Sequence, residues 1–410
     1  LGRRARLAAA ASLLLLTARP SAAEVIPGLD VLREEKDAYL EGRRVGLITN
    51  HTGLARDGTS ALTILRDELH LNVVALFSPE HGFAGDIAAG DEVRSGYEPT
   101  SGVPIHSLYG ETRAPTAEML SGVDVLVFDV QDVGVRFYTY ISTMKLAMEA
   151  AAEHGVDFVV LDRPNPNGGV RIEGPVLDAR FSSFVGVASI PLVHGMTVAE
   201  LAKLFAADLP ALELHVVPMK GWRREMLWVE TGLPWRAPSP NIGSPEAALA
   251  YPALGLIEGI NASEGRGTEK PFEQTGAPFV DGETVVERLV RLALPGVDFH
   301  PVSFVPRSTA AAPRPKYLDE RCHGVELDIA DVERFEAVRT GLAIVQTMRS
   351  LYPDSFQWVK RGERFWIDLL LGTDRPRLGL EAGTSLEVIL EAEGPDLERF
   401  RRRREPFLLY

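Results

Sequence analysis

Four apolar runs in this chain each end in a polar cluster, and one of those clusters reads Ser78-Pro79-Glu80-His81-Gly82. The others are Thr49-Asn50-His51-Thr52-Gly53, Asp129-Val130-Gln131-Asp132-Val133-Gly134 and Asp162-Arg163-Pro164-Asn165-Pro166-Asn167-Gly168-Gly169. In an open parallel sheet the ligand crevice lies outside the carboxyl ends of the strands, so four such ends aim their polar groups at one place. A carboxyl at the mouth of a crevice with low-dielectric walls can be tuned to donate a proton. That is the chemistry expected of Glu80. Glu173, in Val170-Arg171-Ile172-Glu173-Gly174-Pro175, offers a second carboxyl, and two carboxyls flanking one bond are what glycoside hydrolysis usually needs. Asp129 and Asp132 compete with it for that role, and a salt bridge to Arg171 is the structural alternative for Glu173.

A second polar cluster, Gly259-Ile260-Asn261-Ala262-Ser263-Glu264-Gly265-Arg266-Gly267-Thr268-Glu269-Lys270, combines charges with glycines as a ligand clamp does, and an Arg there can grip a carboxylate with two parallel hydrogen bonds. A self-paired surface loop has the same composition. Phe137, Tyr138 and Tyr140 follow the Asp132 loop, and Trp222, Trp228 and Trp235 lead into a proline-rich stretch; aromatic rings cover the C–H faces of sugars, although most aromatics are core. His51, His81, His106 and His194 have no close metal-ligand spacing, so no metal and no cofactor is expected. The chain lacks a G-x-G-x-x-G, a P-loop, a G-x-S-x-G elbow and an H-E-x-x-H. Its one cysteine, Cys322, excludes an intrachain disulfide and reads as a loop thiol.

The elements that must position these groups alternate. Strand-like runs at 44–49, 71–77, 123–130 and 157–162 have helical patterns between them at 59–69, 116–120 and 139–154, after a leading helix over 24–39. This alternation implies βαβ units and a parallel sheet, and consecutive apolar residues imply helices on both faces. A helix at 197–204 and a strand at 214–217 follow. Residues 233–245 hold four prolines and join two halves. The second half carries helical patterns near 245–249, 282–292 and 332–348 and strand-like pieces at 325–329 and 365–370. The fold expected is α/β: a Rossmann-like parallel-sheet domain over 24–243 and a smaller α+β domain over 244–410 that closes the cleft.

With 410 residues the chain exceeds one ordinary domain, and a formal charge of −14 argues against broad nucleic-acid binding. The Arg run 399–404 reads as a solvated helix end. Arg3, Arg4 and Arg6, the apolar run Leu7 to Leu16 and Ser21-Ala22-Ala23 read as a secretory leader over 1–23, which places the protein outside the cytoplasm, secreted or periplasmic. No later run is apolar for long enough to span a bilayer.

Taken together, the Asn50, Glu80-His81, Asp129 to Tyr140, Asp162 to Asn165, Ile172-Glu173-Gly174, Ser239-Pro240-Asn241 and Glu264-Gly265-Arg266 runs resemble, in order, the exo-β-N-acetylmuramidase family called NamZ, formerly a domain of unknown function. The resemblance spans about 40–410. It implies removal of terminal N-acetylmuramic acid from the non-reducing end of peptidoglycan fragments, in a cleft between a Rossmann-like domain and a smaller one. Peptidoglycan-derived glycans or muropeptides are then the partners. Glu80 carries over as the acid and Glu173 as nucleophile or base, with Glu264 in reserve. His81 would orient Glu80 or bond the 2-acetamido group, and Arg136, Arg163 or Arg266 would pair the lactyl carboxylate. Asn50, Gln131, Asp132, Tyr138, Asn165, His194 and Asn241 are the remaining expected substrate contacts. A metal-dependent hydrolase of wall peptides or acetyl groups and a non-catalytic muropeptide-binding protein are the competing readings.

Overall fold

The computed structural model describes residues 24–36 and 38–410, so the expected leader at 1–23 lies outside the described residues. Seven strands, β1 (Arg44–Thr49), β2 (Asn72–Ser78), β3 (Gly96–Tyr97), β4 (Pro104–Ser107), β5 (Val125–Asp129), β6 (Asp157–Leu161) and β7 (Leu214–Val217), form one sheet in the order β3-β4-β2-β1-β5-β6-β7. Every neighbouring pair is parallel except β3 with β4. The sequence Val-Leu-Val-Phe-Asp of β5 is buried at all positions, as a central strand covered on both faces requires. Strand order turns outward in both directions from β1 and β5, so their carboxyl ends mark the topological switch point.

The first half adds α1 (Gly28–Glu35), α2 (Ala61–Thr63, running on into a π-helical turn, Ile64–Glu68), α3 (Tyr140–His154) and α4 (Val198–Ala206). Thr197 starts α4 through a capping box: its hydroxyl accepts from Glu200 N and the Glu200 carboxylate accepts from Thr197 N. The second half builds a three-stranded antiparallel sheet from β8 (Gln274–Ala277), β9 (Asp298–Phe304) and β10 (Cys322–Asp328), ordered β8-β10-β9. Helices α5 (Pro245–Leu254), α6 (Gly282–Val290) and α7 (Ala337–Leu351) pack with it. Gly341 lets α7 meet α5 closely, since a Cβ there would lie 2.5 Å from Ala253 O. A short hairpin, β11 (Lys360–Arg361) and β12 (Arg364–Phe365), leads into α8 (Trp366–Leu371), α9 (Arg375–Glu381), α10 (Leu386–Glu391) and α11 (Gly394–Arg404). The fold is thus mixed α/β, a mostly parallel seven-stranded sheet with a smaller antiparallel-sheet C-terminal domain.

One buried cluster, with Phe77 and Phe128 from the first half and Phe272 and Phe335 from the second, runs through both parts. The chain end returns to the first sheet. Tyr410 Oη donates to Asp162 Oδ2 at 2.7 Å, Leu409 N donates to Glu200 Oε1 at 2.9 Å, and Arg404 donates to the carbonyls of Gly169, His194 and Gly195. Arg404 is therefore buried, whereas Arg399, Arg401 and Arg402 are exposed as expected of a solvated helix end. Four local expectations are corrected. The run at 365–370 is not a strand: most of it forms α8. The leading helix shortens to α1, because Lys36 turns left-handed behind it. Residues 116–120 form a turn, and Cys322 is a buried strand residue rather than a loop thiol.

Candidate active site

A cavity of about 520 Å³ opens at the carboxyl end of β2 and is walled by both halves of the chain. Glu80 and His81 come from the turn after β2, Tyr109 and Arg113 from the loop after β4, and Phe137, Tyr138 and Thr139 from the segment that enters α3. Glu258, Glu264, Arg266, Lys316 and Trp366 come from the second half.

The Glu80 carboxyl is held by both oxygens. Oε1 accepts from Gly90 N at 2.9 Å, and Oε2 accepts from the Thr139 hydroxyl. The Tyr109 phenol lines the cavity beside Glu80; burial and the neighbouring Glu80 charge push its pKa up to about 12, so it keeps its proton. His81 sits at a φ of 71°, a left-handed conformation uncommon outside glycine and one that clusters at functional sites. Its Nδ1 lies 2.7 Å from Ile87 O and so carries the proton, which leaves a lone pair on Nε2. Burial pushes the His81 pKa below the ordinary imidazole value despite the Glu80 charge, so the ring is neutral at pH 7.

On the other wall Arg266 bridges two carboxylates, with Nη2 at 2.8 Å from Glu258 Oε1 and Nε at 3.3 Å from Glu264 Oε1. Lys316 lies 3.2 Å from Glu264 Oε2 and also donates to the carbonyls of Ile257, Ile260 and Ala262. That ion pair lacks hydrogen-bond alignment, so Glu264 Oε2 is buried with a lone pair unused. Burial alone would raise the Glu258 pKa; the Arg266 charge and hydrogen bond, Lys316 and the Trp366 N–H outweigh it and hold the pKa below the usual carboxylate value.

Of the expected site residues, Glu80, His81, Tyr138, Glu264 and Arg266 meet on this cavity. The others do not line it. Glu173 is half-buried beside the start of α7, where its Oε2 accepts from Val338 N at 3.0 Å and its Oε1 lies 3.5 Å from Arg171; it serves the helix start. Arg136 donates to three carbonyls, Pro175 and Ile190 through Nη1 and Leu370 through Nη2, and so ties the first half to α8. Arg163 pairs with Asp129 at 2.6 Å and fills the switch point itself. Asn50 donates to Tyr140 Oη and accepts from Thr52, one layer below the cavity. Gln131 donates to Asp132 O and Pro164 O, and Asn165 donates to Met196 O. Asp132 accepts from Gly134 N, and burial pushes its carboxyl up to about 7. His194 is buried with Nδ1 accepting from Met196 N. Asn241 donates to Ala311 O and so braces the loop 311–316 on the cavity rim. Among the described residues no three His, Cys, Asp or Glu side chains gather as metal ligands, and no helix is long and apolar enough to cross a membrane.

Sequence reasoning missed Thr139, Tyr109, Arg113, Glu258 and Lys316. Tyr109 and Arg113 follow β4, a strand that Pro104 and His106 disguised; the same strand-end logic finds them once β4 is known. Glu258 sits one residue before the Gly-rich cluster.

Two family models cover almost all of the described chain: "Exo-beta-N-acetylmuramidase NamZ, N-terminal" over 45–246 and "Exo-beta-N-acetylmuramidase NamZ, C-terminal" over 249–410. The peptidoglycan β-N-acetylmuramidase NamZ of Bacillus subtilis (strain 168) is 47% identical over 388 residues, 94% of this chain and 92% of that protein. A crystal structure of a DUF1343 family protein from Bacteroides fragilis NCTC 9343 superposes with a TM-score of 0.85 at 39% identity, covering 94% of this chain and 99% of that one. A second from the same strain gives 0.76 at 34% identity, with 95% and 99% covered.

Proposed function

The chain belongs to the NamZ family of exo-β-N-acetylmuramidases, and from that premise we propose that Glu80 is the proton donor of a two-carboxylate hydrolysis that frees N-acetylmuramic acid from the non-reducing end of peptidoglycan fragments. The enzyme is a glycoside hydrolase acting on peptidoglycan. What supports the role of Glu80 is its carboxyl, fixed by Gly90 N and the Thr139 hydroxyl while it faces the cavity. These two donors hold the group in one rotamer, within reach of a glycosidic oxygen bound in the cavity.

Glu264 takes the second carboxylate role in place of Glu173. It shares the cavity with Glu80, and its Oε2 keeps an unused lone pair for attack on the anomeric carbon or for activating a water. Arg266 and Lys316 steady it from either side. The His81 Nε2 lone pair is matched to the N–H of the 2-acetamido group. Phe137, Tyr138 and Tyr251 form an aromatic wall suited to a sugar face: the Tyr138 and Tyr251 rings meet edge-on at 5.9 Å, and Phe137 meets Tyr251 at 5.1 Å. The leader-like pattern in 1–23 supports action on the wall side of the membrane, in the periplasm or outside the cell.

Mass spectrometry of digests tests the chain-end claim. Fragments ending in N-acetylmuramic acid should release the free sugar, and fragments capped by N-acetylglucosamine should stay intact. Release from both, or from neither, removes the claim.

A further inference from the structure

We infer that Arg113 is the residue that reads the lactyl carboxylate of muramic acid, and so sets the preference for muramic acid over glucosamine; this rests on the muramidase reading above. Five cationic side chains line the cavity: Arg113, Arg266, Arg314, Lys316 and Arg361. Arg266 is spent on Glu258 and Glu264, and Lys316 on Glu264 and three carbonyls. Arg314 and Arg361 are exposed, where water competes for a carboxylate and pairing contributes little. Arg136 and Arg163, the sequence candidates, lie outside the cavity, Arg136 bonded to three backbone carbonyls and Arg163 to Asp129.

Arg113 differs in two ways. Its Cζ lies 3.6 Å from the centroid of the Tyr109 ring and 4.6 Å from that of Phe184, so two aromatic faces hold the guanidinium in place. Its Nη1 is shielded from solvent and has no hydrogen-bond partner. An unmet donor of this kind is unfavourable in the empty site, and a bound carboxylate satisfies it. The position is also right, because Arg113 stacks on the Tyr109 ring and the Tyr109 phenol feels the Glu80 charge, with all three on the cavity wall. One phenol therefore separates the anion reader from the proton donor, which places both on the same sugar. The lactyl ether and the glycosidic bond are likewise carried by one ring.

The test compares an aryl β-N-acetylmuraminide with its lactyl amide, a neutral analogue of the same shape, for wild type, Arg113→Gln and Arg113→Lys. Wild type should favour the acid by about 100-fold in kcat/KM, the discrimination expected when a charge-assisted two-pronged pair is reduced to a neutral hydrogen bond. Arg113→Gln should lose most of that preference, through a raised KM on the acid and little change on the amide. Arg113→Lys should retain part of it, because the charge remains while the two-pronged geometry is lost. Equal losses on acid and amide, in both variants, would assign Arg113 a structural role and overturn the inference. An unchanged acid-to-amide ratio in either variant would overturn it as well. Wild type that cleaves neither compound would remove the muramidase reading, and this inference with it.

Discussion

Thr139 and Glu80 are joined by a hydrogen bond across the sheet: the Thr139 hydroxyl, at the start of α3, donates to Glu80 Oε2 beyond β2. The two segments follow strands that are not neighbours, since β1 lies between β2 and β5. The bond therefore fixes the Glu80 carboxyl relative to the switch point, with Asn50 and Tyr140 bracing the same place from below.

Removing that donor without changing shape should show its worth. Thr139→Val should lower kcat by about 5-fold, in line with ~1 kcal/mol for one lost positioning hydrogen bond, with KM nearly constant. Thr139→Ser should restore most of the rate. Steady-state kinetics on an aryl muraminide decides it, and a Val variant at full rate would mean that Thr139 does not position Glu80.

Glu173 gives the opposite expectation. Its amide analogue can still accept from Val338 N, so Glu173→Gln should keep turnover within about threefold, whereas Glu173→Ala should cost ~1–3 kcal/mol in urea unfolding by leaving that amide unpaired. Folded Glu173→Gln protein without activity would return Glu173 to the chemistry.

Where the sequence was legible and where it was not follows from what each side chain meets. Strand ends are visible because apolar runs stop abruptly, so the parallel sheet and the Glu80 turn could be read directly. The surroundings of Arg136 were hidden because nothing local reveals that three carbonyls from Pro175, Ile190 and Leu370 converge on it; those partners are up to 234 residues away. The surroundings of Glu173 were hidden for the same reason, its partner Val338 being 165 residues on. The run Phe365 to Leu370 is apolar throughout, and short runs of that kind lack the periodicity that separates strand from helix. The family resemblance located the motifs but did not sort substrate contacts from the layer beneath them.

Asp132 should make stability fall as pH rises. Burial raises its folded pKa to about 7, above the ordinary value of 3.8. Below pH 4 both states hold the proton and the folded state loses nothing. Between pH 4 and 7 the unfolded chain releases the proton and the folded one keeps it, so the contribution is lost progressively and levels off above 7. Asp132→Asn should flatten this part of the profile, and should be more stable than wild type at pH 8. Thermal melts from pH 4 to 8 check both statements; a wild-type contribution growing over that interval would reverse the assignment.

Glu264→Gln keeps the contact with Arg266 but removes the charge, and should lower kcat by about 100-fold or more if Glu264 is the second carboxylate. An equal loss in Glu258→Gln, with Glu264→Gln active, would move that role to the neighbouring carboxylate.

The most direct measurement is chromophore release from an aryl β-N-acetylmuraminide by wild type and Glu80→Gln, beside the matching glucosaminide. The expected result is cleavage of the muraminide alone by wild type, and a loss of about 10²–10⁴ in kcat for the folded Glu80→Gln variant. A Glu80→Gln enzyme that turns over at the wild-type rate would contradict the assignment of Glu80 as the proton donor.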